Sequence, residues 1–282
     1  MGNSRNSYLI KNTMIFTLGN LGSKLISFFL IPLYTNALTT TEYGVVDLIA
    51  TVGTVAVPVL TLNICESVMR FALDKNANKD KITQIGTNLL LIGMVVGLVI
   101  FPICHSFNRI SQYSVFVYFY VISLAASQLY LCDLRGKELL VYYSIGNVLH
   151  TFFIAALNIL FLVVFKGGIE GYLNAYIIAN ILTATYALIM GKGYRSFSFS
   201  GVDKKLLQRM IKYSIVLIPN SFMWWIMNSS DRVMVSSMVG IAANGIYAVS
   251  YKLPTLVSTL TTIFNQAWSY SAIREEGTED EN

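Results

Sequence analysis

The run GVVDLIATVGTVAVPVLTLNICESV, residues 44–68, holds 25 residues whose only charges, Asp47 and Glu66, lie towards its two ends. About 20 mostly apolar residues are enough to cross a bilayer as a helix. Working outward from it, seven more such runs appear, at 13–37, 84–104, 113–132, 139–165, 171–191, 211–239 and 245–268. The connections are short, and the longest covers 192–210. The fold class expected is therefore all-α, a polytopic membrane protein of eight transmembrane helices. Composition agrees. Hydrophobic residues make up 55% of the 282 residues, charged residues only 12%, and the mean hydropathy is +0.59. A soluble domain carries about 25% charge. This balance excludes a soluble enzyme, a disordered chain and a nucleic-acid binder. The net charge of +5 sits in short clusters between apolar runs and is no nucleic-acid footprint. The first run is too long for a signal-peptide core, and no small-residue cleavage site follows it, so it reads as a permanent helix.

Orientation follows from the Lys/Arg bias of the loops. With the N-terminus cytoplasmic, 15 of the 20 Lys and Arg residues fall on the cytoplasmic side. Two, Arg109 and Lys166, fall outside, and three, Lys24, Arg232 and Lys252, lie within spans. The alternation supports both the span count and the direction.

Polar residues recur at helical spacing inside the spans. Thr13, Thr17, Asn20, Lys24 and Ser27 share one face of span one, and Lys24 lies roughly 20 Å along the axis from Lys11, near the bilayer centre. His150 is similarly deep in span five, with Asn147 and Asn158 near its face. Span seven carries Asn220, Trp224, Asn228 and Asp231 on a broad face, with Arg232 beside Asp231. Span eight presents Tyr247, Tyr251 and Ser258 on one face, Lys252, Thr255 and Thr259 on another. Intramembrane ionisable groups face a partner or a wet cavity because lipid exposure is costly. Asp231 and Arg232 read either as neighbours' ion pairs or as cavity lining. His150 reads either as a packing histidine or as a proton relay. Glu66 and Asp133, near Arg70 and Arg135, read as helix-end ion pairs or hydrated caps. Gly93 and Gly97 form a GxxxG pair in span three, read as close helix packing. Pro32, Pro58, Pro219 and Pro254 read either as packing features or as bends in mobile helices. Cys65, Cys104 and Cys132 show no metal-ligand spacing and read as buried, inert thiols. No metal site, cofactor or catalytic constellation is expected, and no loop is large enough for an enzyme site.

Shifting the sequence by 201 residues brings Lys11 onto Lys212, and Tyr43-Gly44-Val45-Val46 onto Asn244-Gly245-Ile246-Tyr247. The match is one of pattern and predicts a six-helix unit repeated in the same orientation. The domains expected are a six-helix lobe at 1–205 and, at 206–282, the first two helices of a second lobe with an acidic tail.

Lys11-Asn12-Thr13 with Gly19 and Lys24, then Pro32-Leu33-Tyr34 before Thr41-Glu42-Tyr43-Gly44, resembles the first hairpin of Wzx-type polysaccharide and O-antigen flippases. Asp231-Arg232-Val233-Met234-Val235 leading to Asn244-Gly245-Ile246-Tyr247 resembles their seventh and eighth helices. The resemblance covers essentially the whole chain and reaches the wider multidrug/oligosaccharidyl-lipid/polysaccharide exporter superfamily. It implies two six-helix lobes around a central cavity. It also implies movement of undecaprenyl-diphosphate-linked oligosaccharide across the bacterial cytoplasmic membrane by alternating access. Carried onto this chain, Lys24, Asn20, Arg232, Lys252, Asn228 and Tyr251 are the expected substrate-binding residues, and Asp231, His150 and Asp47 the expected ion-coupling residues. The implied partners are the lipid-linked oligosaccharide, the bilayer, and a polysaccharide polymerase with its export machinery. With eight spans the chain departs from the family and reads as truncated after the eighth. The alternatives are a cation-coupled drug exporter, which favours deep acids where this chain has Lys24, and an inactive truncated remnant.

Overall fold

The computed structural model describes residues 26, 28–74, 76–105, 111–198, 201–255, 257–258 and 261. All regular elements among them are helical: α1 (Ile31–Ala37), α2 (Thr40–Leu60), α3 (Ile64–Ala72), α4 (Lys79–His105), α5 (Ser114–Gly136), α6 (Leu140–Asn158), α7 (Gly168–Met190), α8 (Lys204–Met238) and α9 (Ile241–Ser250). A π-helical turn, Ile159–Val164, extends α6. Five of these helices, α2, α4, α5, α6 with its π turn, and α7, are long and apolar enough to cross a bilayer. Of the expected first span, 13–37, only residues 26 and 28–37 are described, and of the eighth, 245–268, only residues 245–255, 257–258 and 261. Helix α8 has 35 residues and is roughly 52 Å long, but Asn220, Asn228 and the Asp231–Arg232 pair keep its hydropathy lower.

Helix ends depart from the apolar runs because caps, not hydropathy, set them. Helix α4 starts at Lys79, five residues before its apolar run, where the Asn78 side chain accepts from the Lys81 N–H at 3.2 Å. Helix α8 starts at Lys204 because Asp203 accepts from the N–H groups of Lys205 and Leu206 at 3.0 and 3.1 Å. The hydrogen bonds from Leu206 and then Lys205 hold the Asp203 carboxyl below the usual range. Helix α2 opens with a reciprocal capping box between Thr39 and Glu42.

The deciding run is not one helix. Span two was expected unbroken over 44–68, yet it divides at Thr61–Asn63 into α2 and α3. Pro58 has no N–H to give to its own helix. Leu62 and Asn63 then take φ of 52° and 54°, and the chain restarts at Ile64. The Asn63 N–H closes on the Pro58 carbonyl at 2.8 Å.

Helices α5, α6 and α7 pack along one another, α3 and α4 pack against α5, and α8 with α9 lies against α2 and α3. Lipid supplies no hydrophobic drive between helices, so small residues and polar bonds select the contacts. Gly93 and Gly97 serve close packing: a Cβ on Gly93 would come within 2.6 Å of the Leu60 carbonyl oxygen, and one on Gly97 within 3.2 Å of Tyr118. Asn180 of α7, fully buried, is the polar hub of the first helices. Its Oδ1 meets His150 Nε2 of α6 at 2.9 Å and the Ser127 hydroxyl of α5 at 3.4 Å, while its Nδ2 donates to Ser123 at 3.4 Å.

At the basic end of the bundle, Lys137 bridges Asp133 at 2.7 Å and donates to the Gly191 carbonyl at 2.8 Å. Thr83 donates to Asp133 at 2.6 Å. Asp133 therefore pairs one turn along its own helix, not with Arg135, whose guanidinium lies 5.5 Å from the Tyr143 ring centre. Glu66 is exposed on α3. The cysteines differ from expectation as well. Cys65 of α3 and Cys132 of α5 are joined as a disulfide, their Cα atoms 5.8 Å apart, because the break after Leu60 turns α3 onto α5.

Replacing Asn180 with Ala leaves His150 and Ser127 without their acceptor. The loss expected is about 1–2 kcal/mol of stability, read by denaturant unfolding of the purified protein in micelles.

Candidate functional site

The chain turns from α8 to α9 through Gly240, whose φ of 132° suits glycine alone. This turn lays the start of α9 across the start of α2. A Cβ on Gly44 would lie 2.0 Å from the Ile241 carbonyl oxygen, and one on Gly245 would lie 1.9 Å from the Thr40 carbonyl oxygen. Gly245 is Gly44 shifted by 201 residues, and Ile241 is Thr40 shifted by the same 201. The contact is thus reciprocal, as across a two-fold axis, and both glycines are needed for so close a crossing.

One turn deeper, Asp47 of α2 meets Arg232 of α8, Oδ1 to Nη1, at 2.5 Å. The Asp47 side chain is 8% exposed and that of Arg232 19%. Asn244 of α9, fully buried, donates to Asp47 Oδ2 at 3.3 Å and to the Gly44 carbonyl at 3.2 Å. The guanidinium of Arg232 lies 5.5 Å from the centre of the Tyr251 ring. Tyr251 stacks with Tyr247 at 6.0 Å, and the Tyr247 hydroxyl donates to Asp231. Lys252 follows Tyr251 just past the end of α9, half-buried, and its charge reaches Asp47. Two acids and two cations from α2, α8 and the segment just past α9 therefore meet at one seam. Arg232 Nε and Asn244 Oδ1 are buried there without a protein partner.

Further bonds continue the seam along α8. Trp225 Nε1 donates to the Thr51 carbonyl at 2.9 Å. Asn63 Nδ2 donates to the Ser221 hydroxyl at 3.2 Å, and the Ser67 hydroxyl to the Met210 carbonyl at 3.1 Å. These contacts run antiparallel, so α8 is zipped to α2 and α3 over most of its length. Behind α2 lies a nest of tyrosines: Tyr34 packs on Tyr172 at 5.2 Å, Tyr172 stacks on Tyr176 at 4.7 Å, and Tyr43 and Tyr120 border them.

Among the expected site residues, Asp47, Asp231, Arg232, Tyr251 and Lys252 come together. Two do not. His150 sits between α6 and α7 on Asn180. Asn228 is exposed and donates back to the Trp224 carbonyl of its own helix at 2.8 Å. Lys24 and Asn20 lie outside the described residues. Asn244 and Trp225 were not anticipated. The 201-residue shift pointed to Asn244, which directly precedes the repeated glycine; nothing in the sequence marks Trp225.

A family model described as "Polysaccharide biosynthesis protein" matches residues 9–270. The chain belongs to this family. No curated protein matches the polysaccharide biosynthesis chain. Among solved structures it is similar to a MOP superfamily transporter from Pyrococcus furiosus, at 15% identity and a TM-score of 0.42. The alignment covers 90% of this chain and 64% of that one. Apolar helices together with the family make the chain a multi-pass membrane protein.

Replacing Gly44 or Gly245 with Ala forces α2 and α9 apart. Each substitution is expected to cost about 1–3 kcal/mol, measured by unfolding in micelles. Replacing Asp47 with Ala strands the Arg232 guanidinium and is expected to cost about 3 kcal/mol. Adding Arg232→Ala should recover part of that loss in a double-mutant cycle.

Proposed function

We propose that the protein moves lipid-linked oligosaccharide across the bacterial cytoplasmic membrane by alternating access, with its N-terminus in the cytoplasm. In this reading residues 1–205 form one six-helix lobe, and residues 206–282 contribute the opening helices of a second lobe. The observation that carries it is the reciprocal Gly44–Gly245 crossing with the Asp47–Arg232 pair beneath it. Two segments related by a repeat close on each other at one face of the membrane, as an outer gate does when the transporter faces inward. The membership in a polysaccharide biosynthesis family supports a glycan-bearing substrate.

The seam also supplies groups that suit a lipid diphosphate. Arg232 keeps a buried Nε–H without a protein acceptor, and Lys252 lies just past the end of α9. Guanidinium and ammonium groups bind phosphate oxygens through charge-assisted hydrogen bonds. Tyr247 and Tyr251 offer ring faces and hydroxyls for sugar. Lys24 and Asn20 on span one are proposed to meet the diphosphate before the gate opens. Asp47 holds Arg232 while no substrate is bound, and the arriving anion competes with it for the guanidinium. Loss of the Asp47–Arg232 contact then frees α8 from α2 at the outer face.

The test uses a host lacking its own flippase for the cognate glycan and complemented with the full-length gene product. Arg232→Gln and Lys252→Gln are each expected to lower surface polysaccharide about tenfold or more, with unchanged amounts of protein in the membrane. Normal surface polysaccharide in both variants overturns the assignment.

A further inference from the structure

The first turns of α8 carry a feature that the gate does not use. Lys204, Lys205, Gln208, Arg209 and Lys212 are all exposed. At 3.6 residues per turn they fall within an arc of about 140°. The opposite face is packed: Leu206 and Leu207 lie against the hydrophobic core, and Met210 and Ser214 are fully buried. No acid occurs on α8 before Asp231. Asp203, just ahead of the helix, is occupied in capping it. Arg70 of α3 is exposed nearby, one residue from Phe71, whose ring packs edge-on against Tyr213 of α8 at 6.0 Å.

The same face changes character abruptly beyond Lys212. It continues through Ile215, Val216, Phe222, Met223 and Met227, all exposed, with Val216 at 71% and Met227 at 78%. A helix face that passes from cations to bare hydrocarbon crosses a headgroup–hydrocarbon boundary. The cations from Lys204 to Lys212 cover roughly 12 Å of axis, enough to cross the headgroup layer of one leaflet, about 5–8 Å deep. The ends of α5 and α7 lie at the same end of the bundle, tied through Lys137 and Gly191, so this is where the leaflet surface meets the protein.

From this arrangement we infer that the Lys204–Lys212 face of α8 is a docking surface for the phosphate headgroups of anionic phospholipids. The occupant is set by charge complementarity and by continuity with the lipid-facing surface beyond Ile215. Bound headgroups neutralise four adjacent cations and fix the height of α8 in the membrane. The inference is independent of what the protein transports.

The experiment uses the full chain purified in a non-ionic detergent. Phosphatidylglycerol, phosphatidylcholine or inorganic phosphate is titrated in, and retained adducts are counted by native mass spectrometry. The wild type is expected to retain phosphatidylglycerol over phosphatidylcholine, and added salt should remove the preference. The combined Lys204→Gln, Lys205→Gln, Arg209→Gln and Lys212→Gln variant is expected to lose it, by about fivefold for each cation removed. A Lys204→Arg, Lys205→Arg, Lys212→Arg variant should keep it. Equal retention of the two lipids by the wild type, or an undiminished preference in the glutamine variant, overturns the inference. So does displacement of phosphatidylglycerol by low millimolar inorganic phosphate, which would mark a free-anion site. If the glutamine variant fails to fold, the salt dependence in the wild type decides.

Discussion

Asp47 and Arg232 are charges placed where water is scarce, and each needs the other. An unpaired charge within a bilayer is costly, so the pair fixes which turn of α8 faces which turn of α2. Once that register is set, Trp225 reaches the Thr51 carbonyl, Ser221 meets Asn63, and Met210 meets Ser67. The turn at Gly240 then brings α9 over α2, and the two glycines let the backbones touch. The seam is therefore a consequence of one electrostatic requirement and two missing side chains.

The same physics shapes the remaining helices. Apolar side chains gain little by choosing another helix over a lipid tail. Specificity falls to the few polar groups: Asn180 gathers α5, α6 and α7, while Asp133 and Lys137 tie α5 to Thr83 of α4 and to the end of α7. The two faces of α8 show the rule from the other side. Its buried face joins the bundle, and its free face copies the layers of the membrane, basic first and hydrocarbon after.

Much of this was legible in the residues, and the misses have physical causes. Hydropathy located the apolar runs of α2, α4, α5, α6 and α7 but not their ends, since Asn78 and Asp203 extend two helices into charged sequence. It also could not show the break at Leu62–Asn63, because leucine gives no warning of a left-handed backbone. Helical spacing put Asp231, with Arg232 beside it, on the polar face of span seven, and Tyr251 and Lys252 on the polar faces of span eight; in the structure all four lie near Asp47. It left open whether His150 packs or relays protons, and the structure sets His150 on Asn180 and leaves Asn228 exposed, because spacing shows that residues share a face but not what that face meets. The 201-residue shift, weak as a match of identities, aligned Gly44 with Gly245, two positions where the close crossing leaves no room for a Cβ.

By itself the sequence determined that the chain is helical and embedded in a membrane, since its charge cannot cover a soluble globule. It also showed that basic residues cluster between the apolar runs, and it aligned Gly44 with Gly245 at a shift of 201 residues. Only the tertiary structure decided that these segments touch reciprocally, that Asp47 neutralises Arg232, and that Cys65 meets Cys132. Hydropathy and periodicity are properties of each helix taken alone. Pairing between residues 185 positions apart, as for Asp47 and Arg232, depends on how helices cross, and the crossing is set by contacts that no single helix contains.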